Sequence, residues 1–94
     1  MRITEVSQDY ITNGIQADCG RCPVAIALSN NGYYDVTVGN DSISYYNGWL
    51  DIDQKKKPNS RKLQVRITRF DNGHKILPFK IIEKDDCFDV YKGE

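Results

Sequence analysis

Residues 18–28 read DCGRCPVAIAL and place two cysteines, three positions apart, directly before an apolar segment that opens with proline. Proline is favoured in the first turn of a helix, where its missing N–H would have no partner in any case. The segment therefore predicts a helix that starts at Pro23 and ends at Asn30-Asn31-Gly32. Its apolar face consists of small residues that allow close packing on a sheet: Val24, Ala25, Ala27 and Leu28.

The segment before these cysteines predicts a strand and a short helix. Residues 2–6 form the strand. Ser7 then caps a helix of about two turns, and Asn13-Gly14 is expected to end it in a left-handed conformation.

The segment after the helix predicts a β-hairpin. From residue 33 to residue 46, apolar and polar positions alternate on both sides of Gly39-Asn40-Asp41. Further along, residues 76–82 predict a last strand, with Pro78 at its start or at a sheet edge.

Residues 60–70 fit two patterns. Leu63, Val65 and Ile67 alternate as in a strand, whereas Leu63, Ile67 and Phe70 share one face of a helix. We favour the helix, because Asn59 or Ser60 can cap it and Asn72-Gly73 can end it. A helix also gathers the cations in a second stripe beside the apolar one: Lys62, Arg66 and Arg69.

These elements predict an α+β fold, with one small antiparallel sheet and about two main helices in the order β-α-ββ-α-β. The 94 residues are expected to form a single domain, 1–94. Within it, residues 55–58 are expected to be a basic loop and residues 84–94 an acidic tail. Because so short a chain buries a modest core, oligomerisation or a metal would help to stabilise it.

The charges are unevenly distributed along a chain whose formal net charge is zero. Seven of the 13 Lys and Arg residues lie between 54 and 69, a stretch that contains no acid. Acids dominate after residue 82. This asymmetry suggests an anion-binding site on the basic segment.

The composition also indicates where the protein works. No stretch approaches the roughly 20 apolar residues that span a bilayer, and the N-terminus lacks the apolar core of a secretory signal. Three cysteines, Cys19, Cys22 and Cys87, cannot all pair within one chain. We therefore expect a cytoplasmic protein with no membrane partner and with free, metal-bound or redox-active thiols.

Four motifs of this chain carry a family resemblance: Asn13-Gly14, the CxxCPVAxAL pattern at 19–28, Phe70-Asp71-Asn72-Gly73 and Pro78-Phe79-Lys80-Ile81. Through these motifs the chain resembles a set of small, largely uncharacterised bacteriophage proteins. It covers most of the chain up to about residue 82, and the acidic tail departs from it. The resemblance implies a phage origin and the β-α-ββ-α-β order, and it supports a helix at 60–70, but it supplies no catalytic residue.

The cysteines allow two kinds of chemistry. Cys19 and Cys22 resemble the Cys-Gly-Pro-Cys pair of thioredoxin-like proteins, and the positive end of the helix would lower a thiol pKa there. Alternatively, Cys19, Cys22, His74 and Cys87 would complete a tetrahedral Cys₃His zinc site that acts as a structural staple. Apart from this zinc, no cofactor is expected.

The basic stripe and nearby aromatic residues predict a nucleotide-sized pocket. Phosphates favour arginine forks and ammonium groups, and bases favour flat aromatic faces. The candidate phosphate ligands are Lys62, Arg66 and Arg69, and the candidate stacking residues are Tyr45, Tyr46 and Trp49. Zero net charge disfavours a long nucleic acid as partner, and the chain has one histidine and no catalytic motif, so we expect no enzyme activity.

These features, together with the phage origin that the resemblance implies, predict a phage-type anti-defence protein in the host cytoplasm. It would sequester a small phosphate-bearing signalling molecule, such as a cyclic dinucleotide or an ADP-ribose derivative, in a pocket shared between subunits of a homo-oligomer. In this hypothesis residues 55–57 form a flap over the ligand. The alternatives are an inhibitor that binds a host defence enzyme through its acidic tail and Trp49, and a zinc-stapled structural or regulatory domain.

Overall fold

A computed structural model describes residues 2–91, in which three helices accompany six strands. In chain order the elements are β1 Arg2–Val6, α1 Gln8–Asn13, α2 Pro23–Ser29, β2 Tyr34–Val38, β3 Ser42–Tyr46, β4 Lys55–Pro58, α3 Arg61–Asp71, β5 Phe79–Glu83 and β6 Phe88–Val90. The predicted α+β class is confirmed. Within residues 2–91, no helix has the length and apolar character needed to cross a membrane.

The strands form two antiparallel sheets where one was predicted. The first sheet has the order β1-β5-β6, with Arg2 opposite Glu83 and Val6 opposite Phe79. The second has the order β2-β3-β4. The predicted element order is therefore incomplete, because each sheet gains an edge strand, β4 or β6, from a segment that was expected to be irregular.

Residues 55–58 are strand β4 and not the predicted basic loop. Their backbone pairs with β3, with Ile43 opposite Lys57 and Tyr45 opposite Lys55. Three lysines in a row have poor strand propensity, but a lysine-rich edge is one way in which proteins prevent edge-to-edge aggregation. Backbone pairing and ion pairs of Lys55 and Lys57 thus override local propensity.

The predicted acidic tail is largely part of the fold. The Lys84 N–H donates to the Cys87 carbonyl at 2.8 Å and closes a turn, after which β6 pairs with β5. Phe88 is fully buried and Val90 is 5% exposed. The apolar residues on either side of Asp89 give β6 a buried face. The sequence prediction missed this strand because it considered the number of acids in the segment and not this alternation. Residues 92–94 lie outside the described part.

The helices begin and end largely where the sequence predicts. The Ser60 hydroxyl accepts from the Leu63 N–H at 3.2 Å and caps α3, and Gly73, at φ 82°, follows its end. The predicted left-handed stop at Gly14 is wrong, because its φ is −71°. Gly14 is needed for space: a Cβ there would lie 2.6 Å from a ring carbon of Pro23.

One hydrophobic core joins the two sheets and the helices. It receives Leu28 from α2, Leu63 from α3, Ile43 from the second sheet and Ile81 from the first. Tyr33, Tyr45 and Phe88 pack edge to face or tilted within it, with ring centroids 5.1–6.1 Å apart. This packing holds α3 against the sheets and leaves its cationic face outward.

Candidate ligand-binding groove

Helix α3 presents its cations on the face beside the one it buries. Leu63 and Ile67 lie in the core, while Lys62 and Arg69 are exposed and Arg66 is half-buried. The predicted cationic stripe follows from this helix, because residues separated by three or four positions lie on the same face.

An open groove of about 400 Å³ lies between α3 and the segment that leads into β5. Three cations and no acid line it, and the rest of its wall is apolar. The lining residues are Val65, Arg66, Arg69, Lys75, Ile76, Leu77, Pro78 and Phe79. We call this feature the cationic groove. A positive groove with apolar walls attracts anions that also carry an apolar or aromatic part.

The walls of the cationic groove are held by the fold. The His74 N–H donates to the Arg69 carbonyl at 2.9 Å, which turns the chain back along α3. Phe79 then enters β5, opposite Val6. The Arg66 guanidinium lies 5.0 Å from the centroid of the Phe79 ring, and this cation–π contact positions its charge at the groove.

Lys75 and Leu77 were not identified from the sequence. They lie between α3 and β5 and have no periodicity of their own, so only the turn at Gly73 brings them opposite Arg66 and Arg69. The nearest sequence signal was the helix end at Asn72-Gly73, which marks where the chain leaves α3 but not the direction that it then takes.

Tyr45 is a core residue and cannot stack on a ligand, contrary to the prediction. It is 1% exposed, its hydroxyl donates to Glu83, and its ring packs against Tyr33 and Phe88. The alternation of a strand places Tyr45 on the buried face of β3.

Tyr46 and Trp49 belong to a second groove, of about 510 Å³. It shares no lining residue with the cationic groove and contains acids in place of cations. Its lining comprises Tyr34, Asp35, Tyr46, Gly48, Trp49, Asp51 and Ile52. Within one chain the predicted stacking residues are therefore separated from Arg66 and Arg69, and the carboxylates would repel a phosphate. Lys62, the third predicted phosphate ligand, is not among the residues that line the cationic groove.

Lysines 55 and 57 are occupied in ion pairs and do not form the predicted flap. Lys55 Nζ lies 3.1 Å from an Asp51 carboxylate oxygen, and Lys57 Nζ lies 2.7 Å from Glu83 Oε2. Lys57 also donates to the Lys84 carbonyl at 2.8 Å.

Glu83 is the centre of a polar cluster that the sequence did not reveal. The Tyr33 hydroxyl donates to its Oε1 at 2.5 Å, and the Tyr45 hydroxyl donates to its Oε2 at 2.7 Å. The three donors are distant from Glu83 along the chain: Lys57 by 26 residues, Tyr45 by 38 and Tyr33 by 50. No local pattern predicts such partners.

The cluster shifts the pKa of each of its acidic groups. Burial of Glu83 opposes its ionisation, but hydrogen bonds from Lys57 and both tyrosines hold the pKa of this carboxyl below its usual value. Burial is the main cause that raises the pKa of Tyr33 and of Tyr45, and the hydrogen bond and negative charge of Glu83 raise it further. Both hydroxyls therefore remain donors at neutral pH. The cluster therefore links the two sheets.

The cysteines do not form the predicted zinc site. In the described range 2–91, no three or more Cys, His, Asp or Glu side chains are grouped to hold a metal. Cys19 is exposed beside buried Cys22, whereas Cys87 lies in the β5–β6 turn and His74 is exposed after α3. The topology does not bring the four side chains together.

Cys22 has a structural role. Its Sγ accepts from the Ala25 N–H at 3.5 Å and caps α2. Burial raises the pKa of this thiol, which opposes the reactive thiolate that a redox pair requires.

Comparisons of the chain with known proteins do not guide the interpretation of the groove. No family model, curated protein or solved structure matches this chain. The resemblance to phage proteins stays a prediction, and the function is argued below from the geometry of the cationic groove.

Proposed function

We propose that the protein binds and sequesters a small phosphate-bearing molecule in the cationic groove. The observation that carries this proposal is the lining itself: Arg66, Arg69 and Lys75 converge on one cleft without a carboxylate. Arginine forks and a lysine ammonium are the donors that phosphate oxygens favour.

The apolar wall favours a nucleotide-derived ligand over inorganic phosphate. Val65 is 46% exposed and Leu77 is 72% exposed, so both offer hydrocarbon surface beside the cations. A volume of about 400 Å³ falls within the range of small-molecule sites, about 300–1,000 Å³. The phosphate would lie on the arginines and the base or ribose on Val65, Leu77 and Pro78.

The proposed activity is binding without catalysis. The lining of the groove offers guanidinium, ammonium and hydrocarbon groups but no nucleophile and no carboxylate or imidazole base. The cellular role, anti-defence during phage infection in the host cytoplasm, rests on the sequence resemblance and belongs to the same proposal.

Isothermal titration calorimetry with ATP, ADP-ribose and a cyclic dinucleotide tests the proposal. Replacing Arg66 and Arg69 together by Gln keeps side-chain bulk and removes two charges. Because a hydrogen bond to a charged group contributes about 1.5–3 kcal/mol, each arginine should account for a loss in affinity of roughly 10- to 150-fold.

The matched control replaces Arg21 and Lys56 by Gln. Both are exposed cations that lie outside the cationic groove, so this variant loses the same charge and should bind like the wild type. Equal affinity in the two double variants, or no binding of any of the three nucleotides by the wild type, would refute the proposal.

A second candidate function, inhibition of a host protein through surface complementarity, is supported by one observation. Trp49, Leu50 and Ile52 are 75%, 73% and 90% exposed, and large exposed apolar residues are typical of binding surfaces. Deleting residues 84–94 would not discriminate the two functions, because it removes β6 and buried Phe88.

A further inference from the structure

The segment 47–53, which we call the apolar loop, projects three large apolar side chains from a well-held backbone. The Asp51 carboxylate accepts from the Asn47 N–H at 3.0 Å, the Asp53 N–H at 3.1 Å and Lys55 Nζ at 3.1 Å. These bonds pre-organise the loop while Trp49, Leu50 and Ile52 stay exposed. A rigid tryptophan-bearing loop loses little entropy on docking.

Acidic residues surround the apolar loop. Asp35 lines the same groove as Trp49 and lies at a bulge in β2 with φ 51°, a conformation that aspartate tolerates better than most residues. Asp53 is exposed at the end of the loop. Since Asp51 is paired with Lys55, the net negative charge of this rim comes from Asp35 and Asp53.

The complementary surface is present on the same chain. The cationic groove combines Arg66, Arg69 and Lys75 with exposed hydrocarbon of Val65 and Leu77. It shares no residue with the apolar loop or its acidic rim. Zero net charge means that little overall repulsion opposes the association of two copies.

We propose that the apolar loop of one copy docks in the cationic groove of a second copy. Trp49 and its neighbours would contact Val65 and Leu77, and Asp35 and Asp53 would face the groove cations. Two different surfaces meet in this contact, so the interface is heterologous and each copy can bind one neighbour on either side. The assembly therefore grows beyond a dimer, into a ring or a filament.

The docked loop and a phosphate-bearing ligand would compete. The rim aspartates Asp35 and Asp53 and the phosphate both require the charges of Arg69 and Lys75, and their like charges exclude simultaneous binding. This competition rests on the proposed function, whereas the self-association does not.

Sedimentation velocity over a range of protein concentrations, without added ligand, tests the self-association. Trp49→Ser removes the loop anchor, and Arg69→Glu with Lys75→Glu reverses the charge of the groove; all three residues are exposed. Each variant should associate at least tenfold more weakly than the wild type. Arg21→Glu with Lys56→Glu is the charge-matched control and should associate like the wild type.

Mixing the loop variant with the groove variant gives the decisive result. One intact loop then meets one intact groove, so the mixture should form dimers and nothing larger, although each variant alone is monomeric. A mixture that stays monomeric would overturn the proposal. So would a groove variant that still associates on its own, which would show loop-to-loop contact instead. A wild-type protein that is monomeric up to its solubility limit would also overturn the proposal. The apolar loop would then be a binding surface for a different protein.

Pyrophosphate separates this inference from the proposed function. Added at constant ionic strength, with sulfate as the control, it should dissociate the wild-type assembly if both proposals hold. If the charge-reversal variant dissociates but neither pyrophosphate nor nucleotides affect the wild-type assembly, the result would support self-association and count against the ligand site.

Discussion

Glu83 carries a negative charge in a half-buried position where the two sheets meet. It lies on β5, while its partners Tyr45 and Lys57 lie on β3 and β4 of the other sheet. A charge in this position is stabilised only while its donors remain in place, because removing one partner leaves the other group desolvated. The cluster therefore makes part of the stability of the contact between the sheets depend on the ionisation of one carboxylate.

Glu83 should make the stability of the protein depend on pH. Its pKa is lower in the folded protein than the ordinary value of 4.5, so its contribution is present above pH 4.5 and is lost as the pH falls through the folded pKa. Glu83→Gln should lower the free energy of unfolding at neutral pH by roughly 2–3 kcal/mol and make the loss of stability in acid shallower.

Urea unfolding between neutral pH and acid measures this effect. Glu5→Gln, at an exposed position on β1, is the control and should keep the wild-type profile. Identical profiles for Glu83→Gln and the wild type would show that the cluster does not depend on the charge of Glu83.

At the scale of elements, β4 and β6 show how tertiary contacts override local signals. α2 and α3 carry their own caps, stops and apolar periodicity, so the sequence was sufficient to predict them. β4 is a run of lysines and β6 is three residues long, and neither has a pattern that identifies a strand in isolation. Both exist because an adjacent strand offers backbone partners.

Phe88→Ala tests whether β6 is an integral element. Phe88 is fully buried and packs against Tyr33 and Tyr45, so truncation should cost about 3–5 kcal/mol. In a chain of 94 residues this is a large part of the total stability. Thermal unfolding followed by circular dichroism measures it.

The control for this element is Asp86→Ala, in the exposed turn before β6. It should change the midpoint little, since surface substitutions away from special contacts usually cost less than about 0.5 kcal/mol. Equal midpoints for Phe88→Ala and Asp86→Ala would mean that β6 is dispensable, as expected for a tail.

At the scale of the whole molecule, the surface is divided between a cationic groove and an apolar loop with an acidic rim. The charge asymmetry along the sequence predicted a basic region on one face, but it assigned the opposite charge to the C-terminal segment. In the structure, Lys84 of that segment pairs with Asp89 at 3.0 Å. The acids of the proposed docking surface, Asp35 and Asp53, lie instead on β2 and in the loop.

The fluorescence of Trp49, the single tryptophan, reports on this surface. Because Trp49 is 75% exposed, the emission of dilute folded protein should resemble that of the unfolded chain. At higher concentration, docking in an apolar groove should shift the emission to shorter wavelength. The Arg69→Glu, Lys75→Glu variant is the control and should show no shift; a concentration-independent spectrum of the wild type would contradict the docking.

The sequence by itself determined the α+β class, the limits of α2 and α3, the Ser60 cap of α3, and the grouping of its cations on one face. These features follow from backbone preferences and periodicities that act within about a dozen residues. The tertiary structure decided the division into two sheets, the burial of Tyr45 and the cluster around Glu83. It also decided that Lys75 and Leu77 line one groove with Arg66 and Arg69. Each of these depends on contacts between distant segments, and burial of apolar surface and pairing of polar groups there outweigh local propensity.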